Sequence, residues 1–100
     1  MVAVYVFRRA QYDFDEILNR LEDVAGARVA SRYATSLTQA INRLEEFPGT
    51  GAPQPRLGKD MRVAIVTPYL VIYRHALGSD TVEILRILHG RRRITRRTLE

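Results

Sequence analysis

The chain has 100 residues, 46% of them hydrophobic and 27% charged, and it contains no cysteine. This length supports one domain with one modest core, the composition is that of a folded chain, and the lack of thiols excludes disulfide staples and thiolate metal sites while leaving a reducing compartment open. The net charge of +5 is unevenly placed: acids and bases balance over residues 1–60, whereas beyond them eight arginines face only Asp80, Glu83 and Glu100, an asymmetry that implies an anionic partner such as nucleic acid, an acidic protein segment or a membrane surface.

MVAVYVF at the start alternates β-branched and aromatic residues with apolar groups on both faces, which predicts a strand buried on both sides. Arg8 and Arg9 follow it, so it has neither the length of a membrane span nor the charge order of a signal peptide, and a cytoplasmic protein is expected. Ala10, Phe14, Ile17, Leu18, Leu21 and Ala25 then recur at helical spacing, with Asp13, Asp15 and Glu16 placed early, where the helix dipole favours negative charge. This helix is expected to end near Gly26. A second follows at once, with Ala30, Tyr33, Leu37, Ala40, Ile41 and Leu44 on one face, until Pro48 and Gly49 stop it. So short a join predicts an antiparallel helix hairpin.

Pro48 to Asp60 is rich in proline and glycine and lacks periodicity, so it reads as a long loop of the kind that carries function or moves. Met61–Val66, Tyr69–Ala76 and Thr81–Leu88 read as three strands joined by short turns, an antiparallel meander. Glu83 and Arg86 interrupt the last strand, which predicts a sheet face only partly buried. The expected architecture is α+β: an N-terminal strand, a helix hairpin, and a meander completing one sheet packed on the helices. A single domain spans residues 1–100, with residues 91–100 a basic C-terminal tail that either forms a short helix or stays loose.

No phosphate-binding glycine loop or nucleophile elbow is present. With only His75 and His89 and no acidic cluster beside either, neither a metal site nor a cofactor is expected. Metal-free RNA cleavage requires Lys or Arg to stabilise phosphorane charge and a proton-moving group, and Lys59, Arg62, Arg74, Arg86, His89 and Arg91–Arg93 are the raw materials for it. On the residues alone, the arginine run reads first as a solvated strand end, with nucleic-acid binding as the alternative. His75 reads as structural. His89, at a strand end beside Gly90 and the arginines, is open to either role.

The segments RLEEFPGTG, PYLVIYRH and VEILRILHGRRR, in this order of elements, resemble the ParE/RelE superfamily of toxins from bacterial type II toxin–antitoxin modules, over essentially the whole chain from Val2 to about Ile94. The resemblance implies a small growth-arresting protein neutralised by an acidic or amphipathic antitoxin that wraps its helix hairpin and sheet. RelE-like members cleave mRNA on the ribosome with basic residues and, often, a tyrosine near the C-terminus; ParE-like members lack that set and poison DNA gyrase. Leu70 stands where the RelE-like arginine is expected, and no tyrosine follows Tyr73, whereas Arg92 and Lys59 match only generic basic positions. The resemblance therefore favours the ParE-like branch, a binding protein rather than an enzyme. It implies a target surface at Arg86, His89, Arg91, Arg92 and Arg93 and antitoxin contacts at Arg62, Tyr69, Tyr73 and Arg74. The alternatives are a ribosome-dependent ribonuclease using Lys59, Arg62, His89 and Arg92, or a non-toxic antitoxin-binding member. Truncation after Gly90 is expected to abolish toxicity while leaving most of the fold.

Overall fold

In the computed structural model, which describes all residues from Met1 to Glu100, strand β1 (Ala3–Val6) leads into helices α1 (Arg8–Ala25) and α2 (Ala27–Arg43). Strands β2 (Ala52–Pro53), β3 (Met61–Val66), β4 (Tyr69–Arg74) and β5 (Thr81–His89) follow, with 3-10 turns at Pro55–Leu57 and Arg96–Leu99. The strands form one mixed sheet in the order β1-β5-β4-β3-β2. The meander β3-β4-β5 is antiparallel, as the short turns require, and β1 runs parallel to β5, with Val6 opposite Ile84.

Gly26 separates the two helices. Its φ of +92° is a conformation that side-chain-bearing residues avoid, and its N–H closes the first helix on the Glu22 carbonyl. The hairpin then lays Ala10, Leu37 and Leu44 against Tyr69, Val71, Tyr73, Val82, Ile84 and Ile87 of the sheet. This is the predicted core, built from the two helical stripes and one strand face.

Three expectations change. The first strand is not buried on both sides: it is a sheet edge, Ala3 and Tyr5 are exposed, and only Val2 and Val4 pack on the helix-covered core. Alternation reveals a strand's faces but not its place in the sheet, and coverage of the second face does not reach this edge. The Pro48–Asp60 loop is not featureless either, because Ala52 and Pro53 pair with Val63 and Arg62 and add a fifth strand. Finally, the second sheet face carries its own core, in which Leu57, Met61, Val63, Ile72, Leu85, Leu88 and Ile94 are buried together and Leu99 packs against them. The C-terminal segment covers this face, so the basic tail is docked. Thr95 and Thr98 close a capping box around its last turn.

A bulge sets which side chains of β5 face which core. Tyr73 pairs with Ile84 and Ile72 with Arg86, so Leu85 is an extra residue on β5. Simple alternation would put Ile84 and Arg86 on one face. The bulge resets the phase, sending Ile87 to the helix side and both Leu85 and Leu88 to the second core.

Candidate functional site

Beyond Ile84 the outer edge of β5 has no strand beside it, because β1 stops at Val6. Asp13 of α1 occupies that gap. Its Oδ2 accepts the Ile87 backbone N–H at 3.0 Å and the Arg86 Nε at 2.7 Å, while its Oδ1 accepts Arg86 Nη2 at 3.1 Å. Arg86 also donates from Nη1 to the Thr98 carbonyl at 2.8 Å, so one guanidinium ties the first helix, the last strand and the C-terminal turn together. Asp13 and Arg86 are 8% and 4% exposed. A charge-assisted, bidentate pair that also satisfies a strand N–H meets the conditions under which buried charge is tolerated.

Arg86, expected on the target surface, is instead buried, with all three guanidinium nitrogens bonded inside the fold. Asp13, expected as one of the early acids that complement the helix dipole, acts as an edge cap for β5. The signal for the pair was present in the sequence. Asp13 falls three residues after Ala10 and four before Ile17, inside the apolar stripe of α1, and Arg86 falls inside an apolar strand: two opposite charges, each out of place in its own pattern.

The antitoxin assignments separate in the same way. Tyr73 is completely buried; its hydroxyl donates to the Pro48 carbonyl at 2.7 Å and accepts the Gly51 N–H at 2.9 Å. A Cβ at Gly51 would lie 2.5 Å from that hydroxyl, which explains the second glycine of FPGTG. Tyr69 is buried too, edge-on to Tyr33 and His89 at ring separations of 5.6 and 5.7 Å. Burial raises the ionisation point of both phenols above its ordinary value; the neighbouring Tyr33 adds to this for Tyr69, whereas the Gly51 N–H, Arg62 and Thr50 oppose it for Tyr73. Both tyrosines are core residues; Tyr73 presents no side-chain surface, and Tyr69 reaches the surface only in the groove beside His89. Arg62 donates to the Gly49 and Gly51 carbonyls at 3.1 and 2.7 Å, clamping the loop. Arg74 pairs with its cross-strand neighbour Glu83 at 2.8 Å and stays half-exposed.

The residues named for ribonuclease chemistry do not converge. Arg62 lies opposite Tyr73 and His89 opposite Tyr69, so the two sit about 13 Å apart along the sheet at ordinary strand rise. Lys59 adjoins the Arg62 end, beside Asp60 and Glu100, whereas Arg92 lies near His89. Leu70, where the catalytic arginine would stand, packs against the second core. His75 is structural, its Nδ1 3.0 Å from the Thr81 carbonyl. No grouping of three His, Asp or Glu side chains could hold a metal ion.

What does converge is His89, Arg91 and Arg92. Arg91 donates its backbone N–H to His89 Nδ1 and Arg92 to the His89 carbonyl, both at 3.0 Å, which turns the chain sharply after β5. These three residues line an open groove of about 540 Å³ between α1 and the end of β5, whose helix wall includes Glu16, Ile17, Arg20, Leu21 and Val24. Arg93 is exposed on the same turn. The helix wall was missed because nothing in the periodicity of α1 says which strand end it approaches.

The fold is α+β, a helix hairpin on one mixed five-stranded sheet with a basic groove at the end of β5, and relatives place it further. The structure is similar to a chain of the chromosomal ParDE TA system from P. aeruginosa, with a TM-score of 0.74 at 21% identity over 89% of this chain and 96% of that one. It is also similar to one in the toxin-antitoxin complex RelBE2 from Mycobacterium tuberculosis, with a TM-score of 0.65 at 21% identity over 88% and 96%. In sequence it is 35% identical to Toxin ParE1 of Caulobacter vibrioides, over 82% of each chain, and 34% identical to Toxin ParE3 of the same organism, over 79% of this chain and 77% of that one. The family described as ParE toxin of type II toxin-antitoxin system, parDE, matches residues 4–94. The chain belongs to the ParE toxin family of type II toxin–antitoxin systems. No helix in it is long and apolar enough to cross a membrane.

Proposed function

We propose that this toxin arrests bacterial growth from the cytoplasm by binding and poisoning DNA gyrase, and that a cognate antitoxin neutralises it. The observation that carries this reading is the dispersal of the residues a ribonuclease would need: Lys59 and Arg62 sit at one end of the sheet and His89 and Arg92 at the other, where Leu70 takes the place of an arginine. Stabilising a phosphorane demands donors preorganised at one point, and loss of a central donor typically costs about 3–4 kcal/mol of transition-state stabilisation. Binding needs only a complementary surface, which the arginine turn and its groove supply.

The antitoxin is expected to be acidic or amphipathic. A solved relative belongs to a ParDE system and another to a RelBE2 toxin–antitoxin complex, which supports a heteromeric assembly here as well. With Tyr69 and Tyr73 buried, its seat is assigned to the mostly apolar cleft of Val6, Phe14 and Ile41 on the helix hairpin, whose lining includes neither Arg20 nor Val24, with Arg74 as a peripheral contact.

Purified protein added to a gyrase supercoiling and cleavage assay tests the proposal. Inhibition with accumulation of cleaved DNA is expected, and normal supercoiling at saturating toxin would refute it. Ribosome-dependent mRNA cleavage would establish the ribonuclease reading instead, and unimpaired growth on expression alone would mark a non-toxic member.

A further inference from the structure

We propose that the groove between α1 and the end of β5 seats a segment of the target protein that presents carboxylates around one large apolar side chain. The assignment deepens, and rests on, the reading of this toxin as one that acts by binding gyrase. It adds Arg20, Leu21 and Val24 of α1 to the arginine turn as a single contact surface.

The floor of the groove is aliphatic. Ile17 and Leu21 are half-buried, and Val24 is 73% exposed beside them, an apolar contact that the fold itself leaves unused. The rim carries Arg20 from the helix and Arg91 and Arg92 from the turn. Asp13 lies in the wall but is already neutralised by Arg86, so Glu16 is the one acid left against three guanidiniums; Glu22 and Asp23 do not line the groove. The local field therefore selects an acidic occupant, and arginine over an aliphatic pocket is the composition of energetically dominant interface positions.

The turn is also fixed at both ends. Gly90 donates its N–H to the Pro68 carbonyl at 2.8 Å, an approach so close that a Cβ there would lie 3.2 Å from that oxygen. Beyond the arginines, Ile94 is buried and its carbonyl accepts Arg56 Nη1 at 2.8 Å. Arginines held on an anchored arch lose less freedom on binding than those of a loose tail.

Val24→Asp and Arg20→Glu, each in the full-length protein, test the assignment by supercoiling inhibition, with thermal unfolding and affinity for the antitoxin measured alongside. Each is expected to raise the half-inhibitory concentration about tenfold or more, with Arg20→Lys intermediate and with unfolding and antitoxin affinity unchanged. If Val24→Asp fails to fold, Val24→Ser removes the same apolar contact without adding charge. Undiminished inhibition by folded variants overturns the groove assignment alone. A parallel loss of antitoxin affinity also overturns it, by making the groove the antitoxin's seat. A wild-type protein that leaves gyrase untouched overturns the underlying reading, and the assignment with it.

Discussion

The two faces of the sheet are covered by different means. The helix face is covered by α1 and α2, whose apolar stripes are continuous in sequence and repeat at helical spacing. The other is covered by scattered residues, Leu57 from the Pro/Gly loop and Ile94 and Leu99 from a segment rich in arginine. The first cover would form wherever an amphipathic hairpin met a sheet. The second holds only because hydrogen bonds fix the segment in place, from Arg56 to the Ile94 carbonyl and from Arg86 to that of Thr98. Since Arg86 depends in turn on Asp13, the weaker cover is anchored to the stronger one.

Truncation after Gly90 breaks this arrangement most severely. It strips Ile94 and Leu99 from the second core and leaves an Arg86 donor unpaired, so the expected loss exceeds about 5 kcal/mol, comparable to the stability of a small domain. Urea unfolding should show a lost or strongly shifted transition, in contrast to the expectation from sequence that most of the fold survives this truncation. A truncated protein with near-normal stability would show that the second cover is ornamental.

Asp13→Ala comes next. It leaves a buried guanidinium and the Ile87 N–H without partners, at an expected cost of about 3–5 kcal/mol in denaturant unfolding. Tyr73→Phe should cost about 1–3 kcal/mol by orphaning the Gly51 N–H and the Pro48 carbonyl. Arg74→Ala breaks an ion pair of similar length on the same strand, but with both side chains more than a third exposed; a change within about 1 kcal/mol is expected. If Arg74→Ala and Asp13→Ala destabilised equally, burial would not be what separates the two pairs.

Alkaline pH probes the helix-side core separately. Burial raises the ionisation points of Tyr69 and Tyr73, so the folded state keeps these protons at pH values where the unfolded chain releases them. Their contribution is fully present below about pH 10, the ordinary tyrosine value, and is lost as pH rises through the raised folded values. Tyr73→Phe should flatten this alkaline decline in a pH series of unfolding midpoints, and an unchanged slope would exclude Tyr73 as a source of it.

Much of this was legible in the residues. The helical stripes, Gly26, the three long strands and the turn residues between them are consequences of side-chain period and backbone preference over a few neighbours, and the observed boundaries follow them closely. The arginine turn was legible as charge, and His89, Arg91 and Arg92 do meet in one groove. Burial of Tyr69 and Tyr73 was not legible, because an aromatic on a strand face reads the same in a core as on a surface.

What only the tertiary structure decided depends on residues far apart in the chain. The bulge at Leu85 changed the faces of Arg86 and Ile87, the early end of β1 exposed the edge that Asp13 caps, and Asp13 met Arg86 across 73 positions. Local periodicity determines which side chains share a face. The partner that satisfies a buried charge is set by where elements end and how they stack, which no local pattern encodes.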